Sequence, residues 1–113
     1  MTMKPLPDNR IDLKYKREFS PVDSKKLLLG FEPRDMDDKW IIFYKQNWVY
    51  FARSWTQNYI FGLELEEVSD GAQRVVASWV NGNNEEYRRS GKEKDFELLN
   101  GILEHVLGIE SRA

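Results

Sequence analysis

The chain contains no cysteine, so a disulfide framework and a thiolate zinc site are both excluded. Its longest apolar runs, Leu27 to Leu29 and Trp40 to Tyr44, fall far short of the ~20 residues that span a bilayer, so no transmembrane helix is expected. The stretch from Met1 to Arg10 carries Pro5, Pro7 and Asp8 and lacks the apolar segment of a secretory signal. A cytoplasmic setting is the simplest expectation. There is no excess of positive charge either: the formal net charge is −2, which gives no overall pull toward a phosphate backbone and disfavours nucleic acid as a partner. None of the seven glycines forms the cluster that cradles a phosphate. Only one histidine is present, His105, and no orienting partner for it is evident in the sequence.

A chain of 113 residues with 41% hydrophobic and 32% charged side chains suits one globular domain with a single core. The expected unit is 1–113, with residues 1–10 as a candidate flexible N-terminal segment. The aromatic residues are unevenly placed. Trp40, Phe43, Tyr44, Trp48, Tyr50, Phe51, Trp55, Tyr59 and Phe61 crowd into one stretch, and no acidic residue falls between Lys39 and Leu63. In a chain that is net acidic, such a segment is a core, a binding surface or both.

Ile11, Leu13 and Tyr15 alternate with Asp12, Lys14 and Lys16, the period-2 signature of a half-buried strand. Asp23 to Leu29 reads as a short helix capped by Asp23 and closed by Gly30, with a strand as the competing reading. From Lys39 the pattern is an antiparallel meander. Lys39 to Lys45 and Trp48 to Ser54 flank the two-residue break Gln46-Asn47, a third strand runs from about Asn58 to Val68, and a fourth spans Arg74 to Asn81 after the turn Ser69-Asp70-Gly71. Ser90 and Glu93 have capping-box spacing, and behind them Phe96, Leu99, Ile102, Leu103, Val106 and Leu107 recur at helical intervals up to a stop at Gly108. These elements predict an α+β fold: an antiparallel β-meander of four to six strands with the helix over Glu93–Leu107 packed on one face. Strand Lys39 to Lys45 is apolar on both sides, so the second sheet face must meet the N-terminal segment, a ligand or another subunit.

The basic clusters Lys14-Lys16-Arg17 and Arg88-Arg89-Lys92-Lys94 are interrupted by acids and read as solvated faces. The carboxylate pairs Asp37-Asp38, Glu66-Glu67 and Glu85-Glu86 show no metal-binding loop, and adjacent strand residues point to opposite faces. No catalytic group, metal site or cofactor is therefore expected, and the reading leans away from an enzyme. What remains is Arg53-Ser54-Trp55-Thr56 together with Trp79, Asn81, Tyr44 and Tyr59. Arginine supplies a planar fork of donors for phosphate or carboxylate, and tryptophan a stacking platform, so these eight residues are the candidate ligand-binding set. The competing reading keeps Trp55 and Trp79 in the core, with Arg53 stacked on an aromatic or paired with Glu64.

The run Trp40-Ile41-Ile42-Phe43-Tyr44, then Val49-Tyr50-Phe51-Ala52-Arg53-Ser54-Trp55-Thr56, then Ala77-Ser78-Trp79-Val80-Asn81 and Tyr87 resembles a family of small bacterial proteins without an assigned activity. That family's pattern is a W-x-x-[FY] strand, an L-Y-F-x-R-S-W-T-G hairpin and an A-W-V-N segment before a C-terminal helix. Gln57 stands here in place of the glycine and Ala52 in place of a frequent histidine. Related domains occur beside ADP-ribosyl-processing enzymes, so the resemblance implies a nucleotide-like ligand. The expectation is a non-catalytic binding module for a small anionic or planar ligand. The alternative is a protein-interaction or self-assembling domain, such as a homodimer, that uses an apolar sheet face.

Overall fold

The computed structural model describes residues 5–110. It has the element order β1 (Arg10–Asp12), β2 (Glu18–Phe19), α1 (Pro21–Leu29), β3 (Trp40–Lys45), β4 (Trp48–Arg53), β5 (Tyr59–Ser69), β6 (Ala72–Asn81) and α2 (Lys92–His105). The sheet is antiparallel throughout, in the order β1-β6-β5-β4-β3, with β2 also on β6. The architecture is α+β, a six-stranded antiparallel sheet with the C-terminal helix packed on one face. Among the described residues no helix is long and apolar enough to cross a membrane.

The β3–β4 hairpin turns on Gln46 and Asn47, both with positive φ (51° and 75°), which matches the twist of the flanking strands. The N-terminal strand is split. Lys14, at φ 57°, breaks the ladder between β1 and β2, and the Tyr15 amide donates instead to the Ser78 hydroxyl at 2.8 Å. The alternation nevertheless continues beyond Tyr15, so that Leu13, Tyr15, Arg17 and Phe19 are all buried. Residues 1–4 of the expected N-terminal segment lie outside the described residues. Farther along, Leu6 packs against the sheet, and Asn9 exchanges hydrogen bonds with Gly82 (3.1 and 2.8 Å).

Two cap assignments need correction. The first helix is capped by Ser20, whose hydroxyl accepts from the Asp23 amide at 3.1 Å; Asp23 itself sits in the first turn, and Pro21 begins the helix. The Ser90/Glu93 capping box does not form: the cap is Gly91, at φ 117°, and no side chain bonds there. That dihedral is open to glycine and strained for serine, which moves the start of the helix one residue on. The other end behaves as expected. Gly108, at φ 70°, folds the chain back so that Ile109 is buried and its amide reaches the Leu103 carbonyl at 2.9 Å.

Cross-strand partners share a face, and this divides the sheet cleanly. Trp40, Ile42, Val49, Phe51, Phe61, Leu63, Val75 and Val80 point to the face covered by Leu99, Ile102 and Leu103 of α2, and Leu27 of α1 belongs to the same core. Ile41, Ala52, Tyr59 and Trp79 form a second cluster on the opposite face, joined by Phe43, Trp48, Tyr50 and Leu6. A bulge between Phe51 and Ala52 of β4 and the facing residues of β5 lets Ile60 and Phe61 both enter the main core.

Candidate functional site

The structure distributes the eight candidate residues over several places. Arg53 ends β4 opposite Trp40, on the helix-covered face, with its guanidinium carbon 4.7 Å from the Trp40 ring centroid. It makes no ion pair among the described residues, and Glu64 pairs in register with Trp48 on the other face. Ser54 and Trp55 secure the segment before β3, while Thr56 bonds locally. The Ser54 hydroxyl donates to the Asp38 carbonyl at 2.7 Å, the Trp55 indole N–H donates to the Met36 carbonyl at 3.1 Å, and the Thr56 hydroxyl accepts from the Asn58 amide at 3.2 Å. Trp55 remains 70% exposed beside Met36 at 73%.

Asn81 is fully buried, and its bonds organise the chain reversal after β6. Its amide donates to the Tyr59 carbonyl (2.7 Å) and the Glu86 carboxylate (2.8 Å), and its carbonyl accepts from Asn83 (2.8 Å). Tyr44 lies on the edge strand, with its hydroxyl on the Asn47 side chain at 3.2 Å. Of the candidate aromatic rings, Tyr59 and Trp79 pack in one cluster, both buried on the second face, and Asn81 reaches the Tyr59 backbone beside them. Arg53 and Trp79 therefore do not converge on one ligand.

The second face holds a different constellation. Phe43, Tyr50 and Tyr59 meet ring to ring, with centroids 5.2 Å apart for Phe43–Tyr50, 5.7 Å for Tyr50–Tyr59 and 6.3 Å for Phe43–Tyr59. Trp48 stacks on Tyr50 at 6.3 Å with the planes 14° apart. These side chains come from three adjacent strands because the odd positions of β3 face the even positions of β4, and the bulge brings Tyr59 opposite Ala52. Phe43, Tyr50 and Tyr59, with Ile41, line one wall of a cleft of about 780 Å³; Leu29 at the end of α1, Phe31 and Pro33 from the α1–β3 connection, and Pro5 and Leu6 also line it. That volume falls in the range of small-molecule sites. Lys45 and Glu32 are at its margin.

The electrostatics follow from burial. Desolvation raises the Tyr50 phenol above its ordinary value of 10.0, opposed by nearby Arg10 and reinforced by Glu64. Tyr59 is raised for the same reason, with Tyr50 adding to it. Tyr87, on the far face, is raised further, first by desolvation and then by its hydrogen bond to Asp95. The folded protein thus holds these three protons more tightly than the unfolded chain does. Their contribution to stability is complete below about pH 10 and is lost as pH climbs through the folded values. Thermal midpoints measured against pH should fall above about pH 10, less steeply in Tyr87→Phe; an unchanged slope in that variant would contradict the assignment.

Phe43 and Tyr50 belong to the aromatic stretch that the sequence marks as a core, a binding surface or both, but neither they nor Ile41 stand among the eight candidate residues. The signal available was the double-sided apolarity of β3, which requires a second contact surface without identifying it. No protein-family profile, curated protein or solved structure matches the chain.

Proposed function

We propose that this chain is a non-catalytic binding module and that its contact surface is the aromatic cleft on the second sheet face. The observation that carries the reading is the cluster of Phe43, Tyr50 and Tyr59 along the wall of a ligand-sized cleft. Rings already fixed by one another lose little freedom when a planar group stacks on them. Lys45 at the margin and Arg10 near Tyr50 supply positive charge for an anionic substituent. A nucleotide or an ADP-ribose-like compound in a cytoplasmic setting combines both properties, in keeping with the family resemblance. Of the sequence-derived set, Tyr59 lines this cleft and Trp79 lies packed beside it, while Arg53 is directed to the helix-covered face.

Titration of tryptophan fluorescence with AMP and ADP-ribose tests the reading. Tyr50→Leu should weaken binding by roughly tenfold or more, the share expected of one stacking ring, and Arg53→Ala should leave it unchanged. No response at millimolar ligand, or loss on Arg53→Ala alone, would reject the cleft.

One observation favours a second reading, self-association into a homodimer. Trp55 and Met36 form an adjoining apolar pair, both largely exposed, with the indole tethered by its N–H. A fixed, exposed tryptophan has the character of an interface anchor. Light scattering should then show a dimer that Trp55→Ala converts to monomer; a monomer in both proteins removes this reading.

A further inference from the structure

A second cleft, of about 550 Å³, adjoins the aromatic one, and Pro5, Leu6 and Tyr59 line both. Its chemistry is different. The polar side chains around it are Asp8, Asn9, Asn58, Asn83, Asn84 and Glu86, which are two carboxylates and four amides, with no lysine or arginine. Such a set can donate and accept hydrogen bonds side by side, as a hydroxyl group requires, while the two negative charges oppose a phosphate.

The backbone around this cleft is tied down on both sides. The buried Asn81 amide holds Glu86 by Oε1 at 2.8 Å, and the second Glu86 oxygen makes no bond among the described residues. Asn83 Oδ1 accepts from the Glu85 amide at 2.9 Å, and the Asn83 carbonyl accepts from the Glu86 and Tyr87 amides at 3.0 and 2.9 Å. This leaves Asn83 Nδ2 as a donor without a partner among the described residues. Opposite, the Asn9 side chain lies so close over Gly82 that a Cβ there would fall 2.8 Å from it, and the two hydrogen bonds between these residues fix the strap that carries Asp8. Asp8 and Asn84 are exposed, and their side chains have no bond among the described residues.

Charge is also ordered along the two clefts. Ile41 pairs with Ala52, which faces Tyr59, and Lys45 stands four residues farther along β3, about 13 Å at the rise of a strand. The cation therefore marks the end of the aromatic cleft away from the amides. We propose that the amide-lined cleft is a sugar subsite: a planar group stacks on Phe43, Tyr50 and Tyr59, and a sugar joined to it presents free vicinal hydroxyls to Glu86, Asn83, Asn84 and Asp8. Glu86 accepts from one hydroxyl and Asn83 donates to another. The subsite rests on the ring-stacking reading of the aromatic cleft, and it narrows the ligand to a ribonucleoside or a similar glycoside whose sugar hydroxyls are unmodified.

The test is titration calorimetry with adenine, 2′-deoxyadenosine and adenosine on the wild-type chain, Tyr50→Leu, Glu86→Gln and the double variant Asp8→Ala with Asn84→Ala. Wild type should bind adenosine roughly tenfold or more tightly than 2′-deoxyadenosine, the share expected of a hydroxyl bonded to a charged group. Glu86→Gln should shrink that preference several-fold and leave adenine affinity unchanged. The double variant changes only exposed side chains and should act in the same direction, so it decides the question if Glu86→Gln does not fold. Adenosine binding no more tightly than 2′-deoxyadenosine would overturn the sugar subsite, as would a preference that persists undiminished in whichever cleft variant folds. In either case, weaker binding of adenine to Tyr50→Leu would leave the ring-stacking reading standing. No binding of any of the three at millimolar concentration would overturn both.

Discussion

Asp95→Ala is expected to destabilise the protein by about 3–5 kcal/mol, a large share of a total that for most domains is only about 5–15. Asp95 is fully buried in the first turn of α2, where a negative charge also suits the helix N-terminus. One carboxylate oxygen accepts both Nε and Nη2 of Arg89, and the other accepts the Tyr87 hydroxyl at 2.8 Å. The network ties the segment after β6 to the helix and brings Tyr87 against Phe61 at a centroid distance of 6.0 Å. Truncation leaves a partly buried guanidinium and a phenol without their acceptor, and that loss is the source of the large effect. Removing the charges together should cost less, so Asp95→Leu with Arg89→Met and Tyr87→Phe should recover part of the stability. Denaturant unfolding of the single and triple variants measures both. A cost for Asp95→Ala below about 1 kcal/mol would mean that water replaces the lost acceptor.

Gly62→Ala is the second large effect, expected at roughly 3 kcal/mol, the upper part of the range for overpacking. Gly62 lies opposite Trp79 on β6, and a methyl group there would fall 2.4 Å from two atoms of the indole. Trp79 is only 7% exposed and is packed with Ile41, Ala52 and Tyr59, so it has no easy retreat. The glycine lets the indole lie flat on the sheet; a side chain would lift it toward the Tyr59 wall of the cleft. The variant should therefore lose ligand affinity along with stability. Combined with Trp79→Leu, the same substitution should cost at least about 1 kcal/mol less than the two single effects summed. A Gly62→Ala protein within about 0.5 kcal/mol of wild type would show that the indole does not occupy this place.

Where one local rule governs, the sequence was a good guide. Gln46-Asn47 marked a two-residue turn, and the 3.6-residue stripe from Phe96 to Leu107 marked a docked helix, because both patterns repeat over several side chains. The helix starts were less legible, since a cap depends on one residue's dihedral: Ser20 and Gly91 took the places expected for Asp23 and Ser90. Charged residues misled in another way. Arg17 continues the inward alternation of Leu13 and Tyr15, and Asp95 stands four residues before Leu99 on the buried stripe, yet charge suggests solvent. The Arg53–Thr56 motif looked like a ligand grip on residue type alone. Its register with Trp40 and its bonds to residues 36–38 are tertiary facts that composition does not carry.

The proposed ligand meets the rings of the second sheet face. Amide chemical-shift mapping during titration with ADP-ribose tests it most directly. Saturable shifts should concentrate at Ile41, Phe43, Tyr50 and Tyr59, with little change at Arg53 to Thr56. Shifts confined to Arg53, Trp55 and their neighbours, or no shifts at millimolar ligand, would contradict it.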